Sequence, residues 1–229
     1  DGPGSGASAI AWARDGEVTL TMEPGEYLVR AHRGLRFERD EETVVVSAGE
    51  ATTVTVELPQ AYTHEGWVLA DPHSHASPSG DGGIPMEERL VVAAGVGIQL
   101  HFGTDHDHIA DYTPLLAPLG LDEVLGTVIS DEVSAVLRGH LNLYPLASDG
   151  RPTNNGSWPW WSDLVPDTET EFERLRAQHG DVIIQVNHPT DSSGMGASAA
   201  WSPGRIGKPD HWTEDFQAME VDNAGEVDD

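Results

Sequence analysis

The chain has 229 residues, 38% of them hydrophobic, which is enough to bury the core of one large domain or of a small and a medium one. Its 39 acidic and 12 basic residues give a net charge of -27, which repels phosphate backbones and argues against a nucleic-acid partner. No apolar run approaches the roughly 20 residues of a membrane span, and the absence of cysteine excludes disulfides and thiolate metal sites.

Residues 1–62 are predicted to form a small β-sandwich-like module behind a Gly/Ser-rich linker, DGPGSGASA. Apolar residues alternate with polar ones at period two, the pattern of half-buried strands. The alternating apolar positions are Val18, Leu20, Met22, Tyr27, Val29, Ala31, Val54, Val56 and Leu58. Pro24-Gly25 and Ala48-Gly49 are turn signals between these runs.

From residue 63 to residue 229 short apolar runs alternate with helical stretches, which is typical of a parallel α/β sheet or barrel. Strands are expected at 67–70, 98–102, 127–129, 141–144, 182–186 and 218–221. Helices are expected at 85–94, 112–119 and 167–179. The first has a proline near its start, and the last is closed by Gly180. We therefore expect a second, α/β domain over 63–229.

Four of the predicted strands are followed at once by histidines or carboxylates. The motifs are DPHSH at 71–75, TDHDH at 104–108, SDE at 130–132 and NHP at 187–189. In an α/β barrel the C-terminal ends of the strands form the active-site face, so these side chains are expected to converge. Chance is a poor account of four such clusters in succession.

The residue types in these clusters indicate a metal site without sulfur ligands. His73 and His75 lie two residues apart, so on extended backbone their imidazoles point to the same side. A mixture of imidazole and carboxylate suits zinc, manganese or iron. The candidate ligands are His73, His75, Asp81, His106, Glu132, His140 and His188. Seven ligands are too many for one tetrahedral ion, so we expect two or three divalent cations, with Glu132 bridging.

Taken in order, DPHSH with Asp81, TDHDH, ISDEVS…GHLNLYPL, VNHP and AMEVDN resemble the PHP (polymerase and histidinol phosphatase) family, and most of all its branch of CehA/McbA-like metallohydrolases. The resemblance extends from near Gly66 to Asn223. It implies a distorted, TIM-like (β/α)7 barrel that binds three metal ions, commonly zinc, manganese or iron.

The resemblance also implies a role for each candidate ligand. The roles are paired first-motif ligands for His73 and His75, an acidic ligand for Asp81, the TDH ligand for His106, a bridging carboxylate for Glu132, and third-metal ligands for His140 and His188. Glu132 and His106 are the residues expected to be essential for catalysis.

The stretch PGEYLVRAHRG…VVVSAGEATTVTVELP resembles, more loosely, the carboxypeptidase-regulatory-like β modules that often precede secreted hydrolases. Any short β-sandwich would give the same pattern. The chain begins at Asp1 without an initiator methionine, so a signal sequence is expected upstream. Together these features favour a secreted or periplasmic location.

The expected function is hydrolysis of a small-molecule ester by hydroxide that clustered cations activate. The PHP resemblance favours a phosphoester, which is phosphoesterase chemistry of class EC 3.1. Cleavage of a carboxyl ester, carbamate or amide is the alternative within the same fold, because the branch named above resembles carbaryl hydrolases. A non-catalytic metal-binding module is a further alternative. The sequence indicates neither the substrate nor the oligomeric state.

Amidohydrolases are the main competing class of metal barrel, because they also open with His-x-His at a strand end. Their sites usually depend on a carbamylated strand-end lysine, whereas the only lysine here, Lys208, lies between Gly207 and Pro209. Glu132 stands where a bridging ligand is needed, which favours the PHP interpretation. A serine hydrolase is disfavoured because the chain has no G-x-S-x-G elbow.

One departure from the family pattern concerns the end of the chain. The family closes its site with Asp-x-His near the last strand, but after His188 the chain has only the adjacent pair Asp210-His211. We therefore expect a fragment without its last segment, with uneven metal binding and little or no activity until it is extended past Asp229.

Other polar and aromatic residues near the motifs favour structural interpretations. His101 lies inside a predicted strand and is expected to be packed rather than ligating. Asp105 is expected to orient a ligand rather than bind metal. The cluster Trp158, Trp160 and Trp161 either lines a substrate mouth or anchors its own loop.

Overall fold

A computed structural model of the chain describes residues 6–14, 16–63, 65–135, 138–148, 150, 154–189 and 213–221. Over these residues the protein is a mixed α/β fold with three sheets and three α-helices. None of these helices is long and apolar enough to cross a membrane.

The N-terminal part forms an antiparallel ribbon in which β1 (Gly25–Ala31) pairs with β2 (Asp40–Val46). Strand β1 follows the predicted alternation of Tyr27, Val29 and Ala31, whereas β2 ends in the continuous apolar run Val44-Val45-Val46. The alternating segments at 18–22 and 54–58, by contrast, contain no strand. Alternation predicts which side chains face a packed surface, but a strand also needs a hydrogen-bonded neighbour, and the sequence pattern does not supply one.

A parallel three-stranded sheet follows, which we call the first sheet. It consists of β3 (Ala70–Ser74), β4 (Leu100–Gly103) and β5 (Gly126–Ile129) in that order. The connections are α1 (Met86–Gly95) and α2 (Thr113–Leu119). This strand-helix alternation confirms the sequence prediction for this part of the chain. All three strands end at one edge of the sheet, where DPHSH spans the end of β3 and the loop that carries TDHDH begins after β4.

The four-stranded sheet, which we call the second sheet, has the order β6 (Asp131–Ala135), β7 (Gly139–Tyr144), β8 (Ile183–Val186) and β9 (Ala218–Met219). Between β7 and β8 lies α3 (Thr168–His179). The pairs β6–β7 and β7–β8 are antiparallel, and only β8–β9 is parallel.

The expectation of parallel strands is therefore wrong for the pairs β6–β7 and β7–β8 of the second sheet. Only three residues separate Ala135 from Gly139, and a parallel crossover needs a dozen or more, so β6 and β7 form a hairpin. The segment SDE follows strand β5 as expected, but its Asp131 and Glu132 are also the first residues of β6. A closed (β/α)7 barrel is not formed by the residues that the structure describes.

Each of the two larger sheets has its own hydrophobic cluster. The cluster under the first sheet contains α1 and α2 residues such as Leu90 and Leu116. The cluster of the second sheet joins Leu141 and Ile184 to Phe172 of α3. Asp167 caps the N-terminus of that helix, and its side chain accepts a hydrogen bond from the Thr170 amide (2.8 Å). These clusters pack the strands on either side of the polar motifs.

The N-terminal part packs directly on α1. A Cβ at Gly34, which has φ of +69°, would lie 1.7 Å from the Val96 carbonyl oxygen, so only glycine fits there. A Cβ at Gly95 would lie 2.3 Å from the ring of Trp12, which packs against the cluster of the first sheet. The ribbon region is thus fastened to the sheet that carries His73.

We expect Gly103→Ala, at the end of β4, to lower the free energy of unfolding by about 1–3 kcal/mol, the usual cost of overpacking a core. An added Cβ would lie 2.1 Å from the ring of Tyr112, which is 1% exposed and cannot swing away. Urea denaturation measures the loss. Gly126→Ala on β5 is the matched control, because its closest neighbour is the side-chain end of Leu100 at 3.2 Å. Equal losses in both variants would contradict this account.

We expect the free energy of unfolding to decrease as the pH rises because of Glu171, a fully buried residue of α3. Burial raises the pKa of its carboxyl from 4.5 to about 8 despite the nearby Arg138. The folded state thus binds an extra proton between these values, and the stabilisation is lost as pH rises through about 8.

The Glu171→Gln variant cannot titrate at this position, so its stability relative to wild type should increase from pH 5 to pH 8. Urea unfolding at several pH values measures the difference. Glu173→Gln, at an exposed position of the same helix, controls for the loss of one negative charge in an acidic protein. A stability difference for Glu171→Gln that stays constant with pH would rule out the buried carboxyl as its cause.

Candidate metal centre

The structure brings all seven predicted ligands to one place, where the first sheet meets the second. From the side of the first sheet come residues of β3 and of the loops after β3 and β4: His73, His75, Asp81 and His106. From the second sheet come residues of β6 and β7 and of the loop after β8: Glu132, His140 and His188. A bridge between His106 and Glu132 joins the two sheets at this point.

Glu132 lies at the centre of the cluster, and its side chain is fully buried. Both of its oxygens face imidazole nitrogens. The Oε1 distances are 3.3 Å to His73 Nε2, 3.2 Å to His140 Nδ1 and 3.3 Å to His188 Nε2, and the Oε2 distances are 3.3 Å to His75 Nε2 and 2.8 Å to His106 Nδ1. One carboxylate is therefore shared by five histidines from four different stretches of chain.

Three groups within the cluster have ligand atoms that all lie within 4.8 Å of one another. The groups are His73, Glu132 and His188; His75, Asp81 and His106; and His106, Glu132 and His140. Two nearby buried atoms, Glu132 Oε2 and His140 Nδ1, have no partner with hydrogen-bond geometry among the described residues. A cation would satisfy both, and imidazole with carboxylate is a donor set for zinc, manganese or iron. The cluster can therefore hold metal ions.

These groups divide the ligands differently from the roles that the PHP resemblance implies. The resemblance pairs His73 with His75 and His140 with His188, whereas the groups above pair His73 with His188 and His140 with His106. Both divisions are compact, since the Nε2 atoms of His73 and His75 are 3.0 Å apart. The number of ions and the ligands of each one stay predictions.

The electrostatics of the cluster favour bound positive charge. Burial alone would raise the pKa of Glu132, but the close imidazoles of His106, His140, His188 and His73 hold that pKa far below its ordinary value. Burial lowers the pKa of His75 to about 4, so this imidazole is neutral near pH 7, as a metal ligand must be. Burial also lowers the pKa of His73, but hydrogen bonds to Glu132 and Glu220 outweigh it and raise the pKa to about 10. A cation bound there displaces a proton.

Several residues that support the cluster escaped sequence reasoning. Ser79 Oγ donates to Asp81 Oδ1 (2.6 Å) and lies 3.0 Å from His75 Nδ1. Asn187 Nδ2 donates to Glu132 Oε1 (2.8 Å). Glu220 lies against His73. Asn187 and Glu220 fall within the quoted motifs VNHP and AMEVDN, but amide, hydroxyl and single carboxylate side chains carry no distinct spacing signal.

The structure agrees with the packed interpretation of His101, which is fully buried and lies 3.2 Å from Ser74 Oγ. Asp105 belongs to none of the three metal-sized groups among the described residues. It accepts hydrogen bonds from the Ala76 amide (2.8 Å) and the Tyr112 hydroxyl (2.7 Å), and so positions the loop that carries His75.

The tryptophan loop is anchored by its own aromatic residues, and its role in lining a substrate mouth stays a prediction. Trp158 is 2% exposed and belongs to the hydrophobic cluster of the second sheet, so it anchors the loop. Trp160 Nε1 donates to Asp107 Oδ1 (2.9 Å), next to His106. Trp161 is 45% exposed. Lys208 and the pair Asp210-His211 lie outside the described residues.

Neither a protein-family model nor a curated protein matches the chain. A solved structure that it resembles is a two-domain protein from Bacteroides vulgatus, described as containing a predicted PHP-like metal-dependent phosphoesterase. The two share 20% identity with a TM-score of 0.42, over 59% of this chain and 39% of that one. This likeness is too low to assign a fold family, and membership of the PHP family stays a prediction.

We expect Glu132→Gln to weaken zinc binding by more than about 100-fold, the upper range for losing even an outer-shell partner. The amide keeps the shape of the side chain but removes the charge that faces five imidazoles. Metal analysis after dialysis and calorimetric titration measure the change. Glu123→Gln, at an exposed position outside the cluster, is the matched control. Undiminished metal content in a folded Glu132→Gln protein would exclude Glu132 as a ligand.

Proposed function

We propose that the protein is a metal-dependent hydrolase that cleaves an ester-type bond in a small molecule. The observation that carries the proposal is the fully buried Glu132 carboxylate, which faces five imidazoles and belongs to two of the three metal-sized groups. A binding module has no need for so many convergent ligands around one bridging carboxylate, whereas hydrolases with clustered ions do.

The cluster is open to solvent on one side. The Asp81 side chain is 59% exposed and that of His106 is 26% exposed, while those of His73 and His188 are 11% and 12% exposed. A substrate therefore approaches past Asp81 and His106. On this side the donor set is mixed, with one carboxylate beside two imidazoles.

The chain's own residues hold and orient the reacting centre. Glu132 keeps the imidazoles convergent, Ser79 fixes the Asp81 carboxylate, and Asp105 fixes the backbone of Ala76 beside His75. Bound divalent cations supply the remaining chemistry, because they lower the pKa of water and neutralise charge on the oxygens of the transferring group.

A phosphoester is the substrate class we propose first, because the ordered motifs resemble the PHP family. A carboxyl ester, carbamate or amide is the second candidate, since the most similar branch of that family resembles carbaryl hydrolases. The finer features that go with the proposal are a PHP-type barrel over 63–229, a β module over 1–62, zinc, manganese or iron as the metal, and a secreted or periplasmic location.

The proposal is tested with the metal-stripped protein reconstituted separately with zinc, manganese and iron(II). The substrates are bis-p-nitrophenyl phosphate, p-nitrophenyl phosphate, p-nitrophenyl acetate and an aryl carbamate. We expect hydrolysis of a phosphate ester that requires metal and is nearly abolished in Glu132→Gln, because the cations then lose their shared carboxylate.

The other outcomes separate the candidates. Metal-dependent cleavage of the acetate or carbamate alone would replace the phosphoester by the second candidate. Activity of Glu132→Gln within about tenfold of wild type would count against the whole mechanism, since removal of a bridging ligand should reduce activity much more than that. Tight metal binding without any hydrolysis would favour a non-catalytic metal-binding module.

A further inference from the structure

Glu220 follows the last described strand and lies at the same edge as the predicted ligands. Its backbone amide donates to the Val186 carbonyl (2.9 Å), which extends the parallel pairing of β8 and β9 by one residue. The side chain is 12% exposed. Val186 is the last residue of β8, and His188 follows two residues later. The pairing with β8 therefore brings the Glu220 carboxylate beside His188.

Each oxygen of Glu220 contacts a different predicted ligand. Oε1 lies 2.5 Å from His73 Nδ1, and Oε2 accepts a hydrogen bond from the His188 amide (2.6 Å). His73 belongs to the first sheet and His188 follows a strand of the second. One carboxylate therefore ties together two ligands that are 115 positions apart in the chain and that share the group formed with Glu132.

The contact with His73 determines which ring nitrogen faces the cluster. When the Nδ1–H group donates a hydrogen bond to a carboxylate, Nε2 is unprotonated and its lone pair can bind a metal. His73 Nε2 lies 3.3 Å from Glu132 Oε1 and 3.0 Å from His75 Nε2, so it points into the cluster. The arrangement is a carboxylate–histidine pair aimed at the place where the other ligand atoms meet.

The contact with His188 stabilises an unfavourable backbone. His188 has φ of +24°, in a region that side-chain-bearing residues seldom occupy. Its amide is directed to Glu220 Oε2, and its Nε2 lies 3.3 Å from Glu132 Oε1. The hydrogen bond from the amide thus helps to keep this imidazole turned toward the cluster.

We propose that Glu220 is a positioning residue that fixes the Nδ1–H tautomer of His73 and the backbone of His188, so that both imidazoles present Nε2 to one metal ion. The proposal rests on the metal centre of the proposed function and adds a residue that acts through two of its ligands. Direct ligation by Glu220 is the competing role. It is disfavoured because Glu220 belongs to none of the three metal-sized groups among the described residues, and its Oε2 accepts a hydrogen bond from the His188 backbone amide.

The test compares Glu220→Ala and Glu220→Gln with wild type and with Glu123→Gln, an exposed Glu-to-Gln change outside the cluster. Zinc affinity and stoichiometry are measured by competition with a chromogenic chelator. We expect Glu220→Ala to bind zinc about 10–100-fold more weakly, as for other lost outer-shell partners, with the number of ions unchanged. Glu220→Gln should fall between, because its amide oxygen still accepts the His73 Nδ1–H.

The second readout is the histidine tautomer, recorded by long-range ¹H–¹⁵N NMR on the zinc-loaded protein. Wild type should show a downfield Nδ1–H signal, assigned to His73 by its absence in His73→Gln. The signal should be lost in Glu220→Ala and kept in Glu220→Gln. A role limited to stability would not change it, and urea unfolding of each variant records that contribution separately.

Each result has a defined meaning. Wild-type zinc affinity and an unchanged His73 signal in Glu220→Ala would overturn the positioning role while leaving the metal centre intact. Loss of one whole equivalent of zinc in Glu220→Ala would show direct ligation and also overturn it. Failure of the wild-type protein to bind zinc, manganese or iron(II) would remove the proposed function, and the positioning role with it.

Discussion

A single buried negative charge organises this site. Glu132 has no exposed side-chain surface, and a carboxylate so placed is costly unless positive or polar groups surround it. Five imidazoles and the Asn187 amide do so. Because these groups come from both larger sheets, the position of one side chain determines how the loops after β3, β4 and β8 must converge.

The second layer of polar contacts follows from the same constraint. Each imidazole that turns one nitrogen to Glu132 has a second nitrogen that needs its own partner or access to water. Ser79 lies beside the second nitrogen of His75, and Glu220 beside that of His73. Asp105, buried one layer further out, binds the backbone rather than a ligand. The central carboxylate thus contacts the imidazoles, the next polar side chains contact the other imidazole nitrogens, and the outermost one binds the backbone.

The sequence predicted which polar residues converge better than it predicted the sheet that carries them. Histidine and carboxylate at strand ends are recognisable by residue type, and all seven candidates lie in the cluster. Apolar periodicity does not indicate strand direction, so it did not predict the hairpin of β6 and β7. It also did not predict the start of β6, because the first two residues of that strand, Asp131 and Glu132, are charged. The contact between His73 and Glu220 spans 147 positions, and nothing in either local pattern indicates it.

The two hydrophobic clusters are separate, one under the parallel sheet and one between the second sheet and α3. The candidate ligands are divided between those same two halves, with His75 and His106 on one side and Glu132 and His140 on the other. Any ion that joins ligands from both halves stabilises their contact relative to the separated state, by an amount that grows with its free concentration. With such ions bound, the contact between the two halves would depend on the metal supply of the surroundings, and chelation would weaken that contact while leaving the two apolar clusters in place.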